Sequence, residues 1–200
     1  MFIDVVIPKD NEKEFIKVAK KLDVGGIIFL YEKFDKEIKE KIEKLNSKDF
    51  KVYSGFLLKD LKHALKIKSN YDFIFSNGER SHFENKNVDI IIDLEDKNFR
   101  DATHFRNSGL NQVLAKLAKE KSILIGINFN LVLNNKNKEL IIGRISQNIK
   151  LCRKYKLDMF LASFAKKPYE LRYWNDLVSF GVTIGMHPSE AKTSISNRKV

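Results

Sequence analysis

The stretch NSGLNQVLAKLAKEKSILIG, Asn107–Gly126, predicts an amphipathic helix that runs directly into a buried strand. Ser108 is a candidate N-cap, because a serine oxygen can accept hydrogen bonds from the free N–H groups of a first helical turn. Five apolar residues recur at helical spacing and form one predicted inward face: Leu110, Val113, Leu114, Leu117 and Ala118. The run ILIG is continuously apolar, as expected of a strand that is buried on both faces. The stretch therefore indicates one unit of an α/β fold.

Apolar, β-rich runs of this kind recur along the 200-residue chain, with helical patterns between them. Several are continuous rather than alternating, which is typical of parallel strands covered on both sides. The eight predicted strands are residues 2–7, 25–31, 51–58, 73–77, 88–94, 123–129, 159–164 and 182–186. Strands that alternate with helices predict a single α/β domain over residues 1–200, a TIM-like (β/α) barrel.

Two segments depart from a regular barrel. Only GERSHFENKN, residues 78–87, separates the fourth and fifth strands, which is short for a full crossover helix. Conversely, EDKNFRDATHFRN, residues 95–107, is a long segment without a predicted element after the fifth strand. It lies on the C-terminal rim, where such barrels place their functional loops, and it carries Arg100, His104 and Arg106. We therefore expect an irregular barrel with a functional rim.

Later helices follow the same apolar periodicity. The segment KELIIGRISQNIKLCRKYK, residues 138–156, places four residues on one inward face: Ile141, Ile145, Ile149 and Cys152. A further helix is expected to open at Pro168, bury Leu171 and Val178, and end at Gly181.

The composition of the chain indicates which class of partner it binds. Lys and Arg total 37 against 26 Asp and Glu, a formal charge of +11, which is typical of a nucleic-acid binder. A lysine excess can also reflect a compositional bias, so the seven arginines are the more informative cations, since their planar fork suits phosphates. No apolar run is long enough to span a membrane, and the N-terminus lacks the features of a signal peptide. The single cysteine, Cys152, favours a reducing, cytoplasmic setting.

Three segments together are similar to one known family. They are MFIDVVIP (residues 1–8), SGLNQVLAKLAKEKSILIGINF (108–129) and GRISQNIKLCRKYKLDMFLASFAKKPYELRYWNDLVSFGVTIGM (143–186). They resemble the family of archaeal ribonuclease P protein component 3, equivalent to the thirty-kilodalton subunit of eukaryotic ribonuclease P and MRP. Two departures stand out: Ser163-Phe164-Ala165 replaces the usual Ser-Asp-Ala, and Arg172-Tyr173-Trp174 replaces the usual Arg-Ser-Pro. Any acidic role at position 164 is therefore lost.

The resemblance implies the same TIM-like fold and a role in removing the 5' leader of precursor tRNA. In that ribonucleoprotein the RNA supplies the active site and the Mg²⁺, so this subunit is expected to have no catalytic residues and to bind no cofactor. The implied partners are the ribonuclease P RNA, the smaller component 2 protein, the other ribonuclease P proteins and, through the complex, precursor tRNA.

Six cations are predicted to contact this RNA. Arg106, Arg144 and Arg172 are the primary candidates for one basic surface, and Arg100, Lys166 and Lys167 are weaker members. The alternative for Arg144 and Arg172 is a structural role, bonded to carboxylates or carbonyls. The polar segment NNKNK, residues 134–138, is either an inconsequential loop or a further RNA contact.

The competing function is a metal-dependent phosphoesterase or amidohydrolase on a related barrel. Such sites need imidazole and carboxylate ligands that converge at the C-terminal ends of strands. The first strand offers Asp4 but no His-x-His. His82, His104 and His187 follow different strands and, with Asp93, could in principle assemble a site, whereas His63 falls in a predicted helix. A third possibility is a protein-binding scaffold, but no sequence pattern locates the surface that would bind the partner.

Overall fold

A computed structural model describes residues 2–96 and 100–196, except for the side chain of His63. Within these residues, seven parallel strands pair in chain order and form a nearly closed, irregular TIM-like barrel. The strands are β1 Ile3–Val6, β2 Gly26–Tyr31, β3 Lys51–Leu58, β4 Phe73–Ser76, β5 Ile90–Ile91, β6 Leu124–Asn128 and β7 Met159–Ala162. The predicted fold class is confirmed.

Helices connect the strands and cover the outside of the barrel. They are α1 Glu12–Lys21, α2 Ile38–Leu45, α3 Ala64–Lys68, α4 Arg80–Glu84, α5 Gln112–Lys121, α6 Phe129–Asn134, α7 Lys138–Tyr155, α8 Trp174–Thr183 and α9 Pro188–Ser194. Two short 3-10 turns, Leu61–His63 and Pro168–Glu170, complete the connections. The irregularity predicted between β4 and β5 takes the form of the five-residue helix α4 and the two-residue strand β5.

The predicted eighth strand, residues 182–186, is wrong. Helix α8 runs on to Thr183, and Gly181, the predicted helix end, is buried inside it. A side chain at Gly181 would press on Ala191 and Met186, so the glycine permits α8 and α9 to pack closely. Ile184 and Met186 are buried at the helix end, which explains why their apolar run resembled a strand.

The barrel closes between β1 and β7 by a short contact around Asp4. Val6 forms a parallel bridge with Ala165, and the Ile7 N–H donates to the Ala165 carbonyl at 2.8 Å. The Asp4 carboxylate accepts from the Ser163 N–H at 2.6 Å and from its neighbour's N–H at 2.9 Å. Burial raises the pKa of Asp4 to about 6. A side chain therefore completes the closure that a regular eighth strand would otherwise make.

The stretch Asn107–Gly126 forms the predicted helix and strand, but the helix begins later than expected. Its N-cap is Asn111, whose Oδ1 accepts from the N–H groups of Val113 and Leu114 at 2.9 and 3.0 Å. Gly109 has a φ of 79° and packs against the Leu94 carbonyl, so the chain cannot turn helical at Ser108. Val113 was predicted to face inward, but it lies in the first turn of this helix and is 53% exposed. The other residues predicted to face inward do so. In α7 they are Ile141, Ile145, Ile149 and Cys152, which are all buried.

Candidate nucleic-acid interface

Residues 97–99 of the predicted rim segment, in the loop after β5, lie outside the described residues, and the described chain on either side of them is held against α7 by Arg144. Only 1% of this residue is exposed. Its Nε donates to Asp101 Oδ1 at 2.9 Å, and its Nη1 donates to the Glu95 carbonyl at 2.8 Å. A buried guanidinium is stable only when its charge and donors are matched in this way. The contacts of Arg144 thus favour the structural alternative, and the side chain is not presented to solvent.

The far end of the same loop is bound by two amide side chains on α7. Gln147 donates to the Arg106 carbonyl at 2.8 Å and to Ser108 Oγ at 2.9 Å, while its own oxygen accepts from the Arg106 N–H at 3.2 Å. Asn148 donates to the Ser108 carbonyl at 2.9 Å and to Glu95 Oε1 at 2.6 Å. Residues 144, 147 and 148 lie on one helical face, so α7 presents a continuous polar strip on which the loop is anchored.

Arg106 lies at the surface, and its guanidinium lies close to the carboxylate of Asp101. Its side chain is 49% exposed and its Nη1 lies 3.7 Å from Asp101 Oδ2. The guanidinium crosses α7 at Gly143, where any Cβ atom would overlap it. Burial alone would raise the pKa of Asp101, but hydrogen bonds from Asn107 and Arg144 and the two arginine charges hold it below its usual value. Asp101 therefore joins a buried arginine to an exposed one.

A second basic group follows β7. Lys166 and Lys167 are exposed, and their N–H groups donate to Glu170 Oε2 at 2.9 and 3.2 Å. The same oxygen accepts from Asn130 Nδ2 at 2.9 Å. Burial tends to raise the pKa of Glu170, yet these hydrogen bonds and the nearby Lys167 charge leave it lowered. The backbone under the two lysines is thus fixed by one carboxylate.

Arg172 belongs to this second group, and its observed contacts are those of the structural alternative. Its guanidinium carbon lies 5.6 Å from the centre of the Phe129 ring. Its Nη1 donates to the carbonyls of Leu171 at 3.1 Å and Tyr169 at 3.4 Å. The residue as a whole is half-buried. Arg100 is exposed, as is His104.

The loops after β5, β6 and β7 are tied together along the C-terminal rim by asparagines. Asn128 donates to Asp93 Oδ1 at 2.9 Å and accepts from the Leu131 N–H at 3.0 Å, capping α6. The Asn130 N–H donates to the Ser163 carbonyl at 3.0 Å. Helix α6 was not predicted, although an asparagine at the end of a strand is a recognisable N-cap signal. Residues 134–138 form the turn from α6 into α7, with Lys136 and Lys138 exposed.

The geometry does not favour the hydrolase. His82 is buried and its Nδ1 is hydrogen-bonded to Ser76 Oγ, whereas His104 is exposed and His187 precedes α9 as its N-cap. No group of three or more His, Cys, Asp or Glu side chains in the described ranges could hold a metal ion. The Asp93 carboxylate accepts from Asn128 instead.

Apolar side chains fill the interior of the barrel. The buried cluster inside the strands comprises Ile3, Val5, Ile28, Leu30, Phe75, Ile90, Ile92, Leu124, Phe160, Ala162 and Phe164. Phe75 and Phe164 meet edge to face with ring centres 6.2 Å apart. Phe164 occupies the position at which the family resemblance leads one to expect aspartate, so hydrocarbon fills the space that a carboxylate would otherwise enter.

A comparison with protein families identifies the chain. The family described as RNase P subunit p30 matches residues 1–200. The chain belongs to the RNase P subunit p30 family. The resemblance predicted from the three sequence segments is thereby confirmed, and the hydrolase is not favoured.

Relatives of this p30 chain include two named ribonuclease P protein component 3. The protein of Methanosarcina mazei is 30% identical over 160 residues, which span 74% of this chain and 64% of that protein. The chain thus covers less than two thirds of that relative's length. The protein of Methanocaldococcus jannaschii is 28% identical over 204 residues, 93% of this chain and 84% of the relative.

A solved structure has the fold of this p30 chain. It is a chain from the cryo-EM structure of archaeal ribonuclease P with mature tRNA, with a TM-score of 0.76 and 24% identity. The match covers 96% of this chain and 87% of that one.

In the described part of the p30 chain, no helix has the length and apolar character needed to cross a membrane.

Proposed function

We propose that this chain is a non-catalytic, cytoplasmic protein subunit of ribonuclease P, the ribonucleoprotein that removes the 5' leader of precursor tRNA. The match of the p30 family to the whole chain is the observation that carries the proposal. The partners are the ribonuclease P RNA, the component 2 protein and the other protein subunits, with precursor tRNA engaged through the complex. Mg²⁺ serves the RNA, and this subunit binds no cofactor of its own.

The RNA-facing surface in this proposal is the C-terminal rim. Lys166 and Lys167 hold exposed charges over a backbone fixed by Glu170, and Arg106 is supported by Asp101. Arg100 and Arg172 add further cations. Fixed cations neutralise phosphates crowded together by RNA folding, and RNA helices are recognised chiefly by shape, phosphate and 2'-hydroxyl. Arg144 acts beneath this surface by holding the loop that carries Arg106.

A processing assay tests the function. Precursor tRNA is incubated with Mg²⁺ and the purified chain alone, with the ribonuclease P RNA and all its proteins, and with the same mixture lacking this chain. We expect no cleavage by the chain alone, 5' processing by the full mixture, and slower processing without the chain. Site-specific 5' cleavage by the chain alone would overturn the non-catalytic assignment. Equal rates with and without the chain would overturn its role as a subunit.

A further inference from the structure

Tyr169 is displayed to solvent in a way that its role in the fold does not require. It is 89% exposed, whereas the next most exposed tyrosine in the described chain, Tyr173, is 38% exposed. Tyr173 packs on Trp174 with ring centres 5.4 Å apart. An aromatic ring left in water gains nothing from burial, so the folded domain does not depend on it.

The backbone that carries this ring is rigid. Pro168 and Leu171, on either side of the turn, are buried. Between them, the Glu170 carboxylate accepts from two preceding N–H groups and from Asn130. A ring on a fixed backbone loses little conformational freedom when a partner binds, which favours affinity. The turn therefore fixes the backbone position from which the exposed ring projects.

Cationic residues precede and follow Tyr169 on its own segment. Lys166 and Lys167 precede it and are exposed, and Arg172 donates to the Tyr169 carbonyl at 3.4 Å. The one acidic residue of the segment, Glu170, has its Oε2 occupied by three donors. An exposed aromatic ring among cations matches a polyanion that carries flat rings. It matches an apolar protein surface poorly, because the lysines would have to be desolvated.

We propose that Tyr169 is a stacking platform for an unpaired nucleobase of RNA, with Lys166, Lys167 and Arg172 binding the adjoining phosphates. Bases within a duplex already stack on both faces, so the partner is a loop, bulge or single strand. Stacking on an aromatic side chain tolerates any base, because every base has a π face. The inference rests on the proposed function. It adds that this part of the rim binds unpaired RNA.

The test compares Tyr169→Ala, Tyr169→Phe and Lys166→Gln in the full chain. The probes are a fluorescent ten-nucleotide oligouridine and a ten-base-pair RNA duplex, each titrated at several salt concentrations. We expect Tyr169→Ala to weaken oligouridine binding about 5-fold or more without changing the salt slope, since stacking involves no counterion release. Tyr169→Phe retains the affinity, Lys166→Gln lowers the slope, and Tyr169→Ala leaves duplex binding unchanged.

Leu65→Ala is the matched control, because Leu65 is 71% exposed and follows β3, across the barrel from β7. It should leave oligouridine binding unchanged. Oligouridine affinity unaltered by Tyr169→Ala, or no oligouridine binding by the wild-type chain, would overturn the inference. So would a Tyr169→Ala chain that binds oligouridine normally but no longer assembles with the other protein subunits, since the ring would then serve a protein partner. The processing assay decides the proposed function separately.

Discussion

Replacing Glu95 with glutamine should change how the stability of the protein depends on pH. Glu95 is 1% exposed, and its burial raises the pKa of the carboxyl to about 7. Its Oε1 accepts from Asn148 at 2.6 Å. Glutamine can keep an acceptor oxygen at this position, so Glu95→Gln removes the ionisable group while preserving the contact that anchors the loop after β5.

The magnitude follows from the two pKa values. An ordinary glutamate has a pKa of 4.5, and the gap to about 7 corresponds to about 3 kcal/mol at high pH. The unfolded chain loses this proton near pH 4.5 and the folded chain near 7, so the unfolded state binds fewer protons between them. The free energy of unfolding therefore falls as pH rises through this window, and the contribution is intact below it. Glu95→Gln has no ionisable group at this position, so its free energy of unfolding does not show this fall.

Urea unfolding at pH 5 and pH 8 measures the effect. We expect the stability of Glu95→Gln, relative to wild type, to rise by about 2 to 3 kcal/mol between these two pH values. The buried Asp4 is present in both proteins, so its titration cancels in the comparison. Glu139→Gln, at an exposed site, is the control and should follow wild type. Parallel pH dependences for wild type and Glu95→Gln would refute the assignment of a protonated, buried carboxyl.

Two further substitutions test the rim and the barrel interior. Gly143→Ala should displace the Arg106 guanidinium and reduce the salt slope of RNA binding as Arg106→Gln does, without lowering the melting temperature, since alanine favours a helix by about 1 kcal/mol over glycine. An unchanged slope would show that Arg106 does not bind RNA from this position. Phe164→Asp would place a carboxylate beside Phe75 and should cost about 3 kcal/mol or more in urea unfolding. Unchanged stability would contradict an apolar barrel interior.

Much of the fold was predictable because it depends on local pattern. Seven apolar runs became strands, and the inward face of α7 followed from residues three and four apart. The run at 182–186 failed because apolarity alone does not distinguish a strand from a buried helix end. Ser108 failed as a cap because the contact of Gly109 with Leu94 delays the helix, and that contact is not local.

The candidate site was less predictable, because its key contacts join distant residues. Sequence placed Arg106, Lys166 and Lys167 on rim loops, which needs only knowledge of where the strands end. The burial of Arg144 depends on Asp101, 43 positions earlier in the chain. The same holds for Glu95 and Asn148, which meet across 53 positions. No periodic pattern marks such pairs, so sequence could not show that Arg144 is buried whereas Arg106 is exposed.

The salt dependence of RNA binding tests most directly whether the rim of the barrel faces RNA. Affinity for the ribonuclease P RNA is measured against salt concentration for wild type, for Lys166→Gln with Lys167→Gln, and for Lys21→Gln with Lys51→Gln. The last pair removes two exposed lysines at the opposite end of the barrel. We predict that the rim pair lowers the slope by about 0.7 to 1 per lost contact and that the opposite pair leaves it unchanged. Equal slopes for wild type and the rim pair, with both proteins folded, would contradict the assignment.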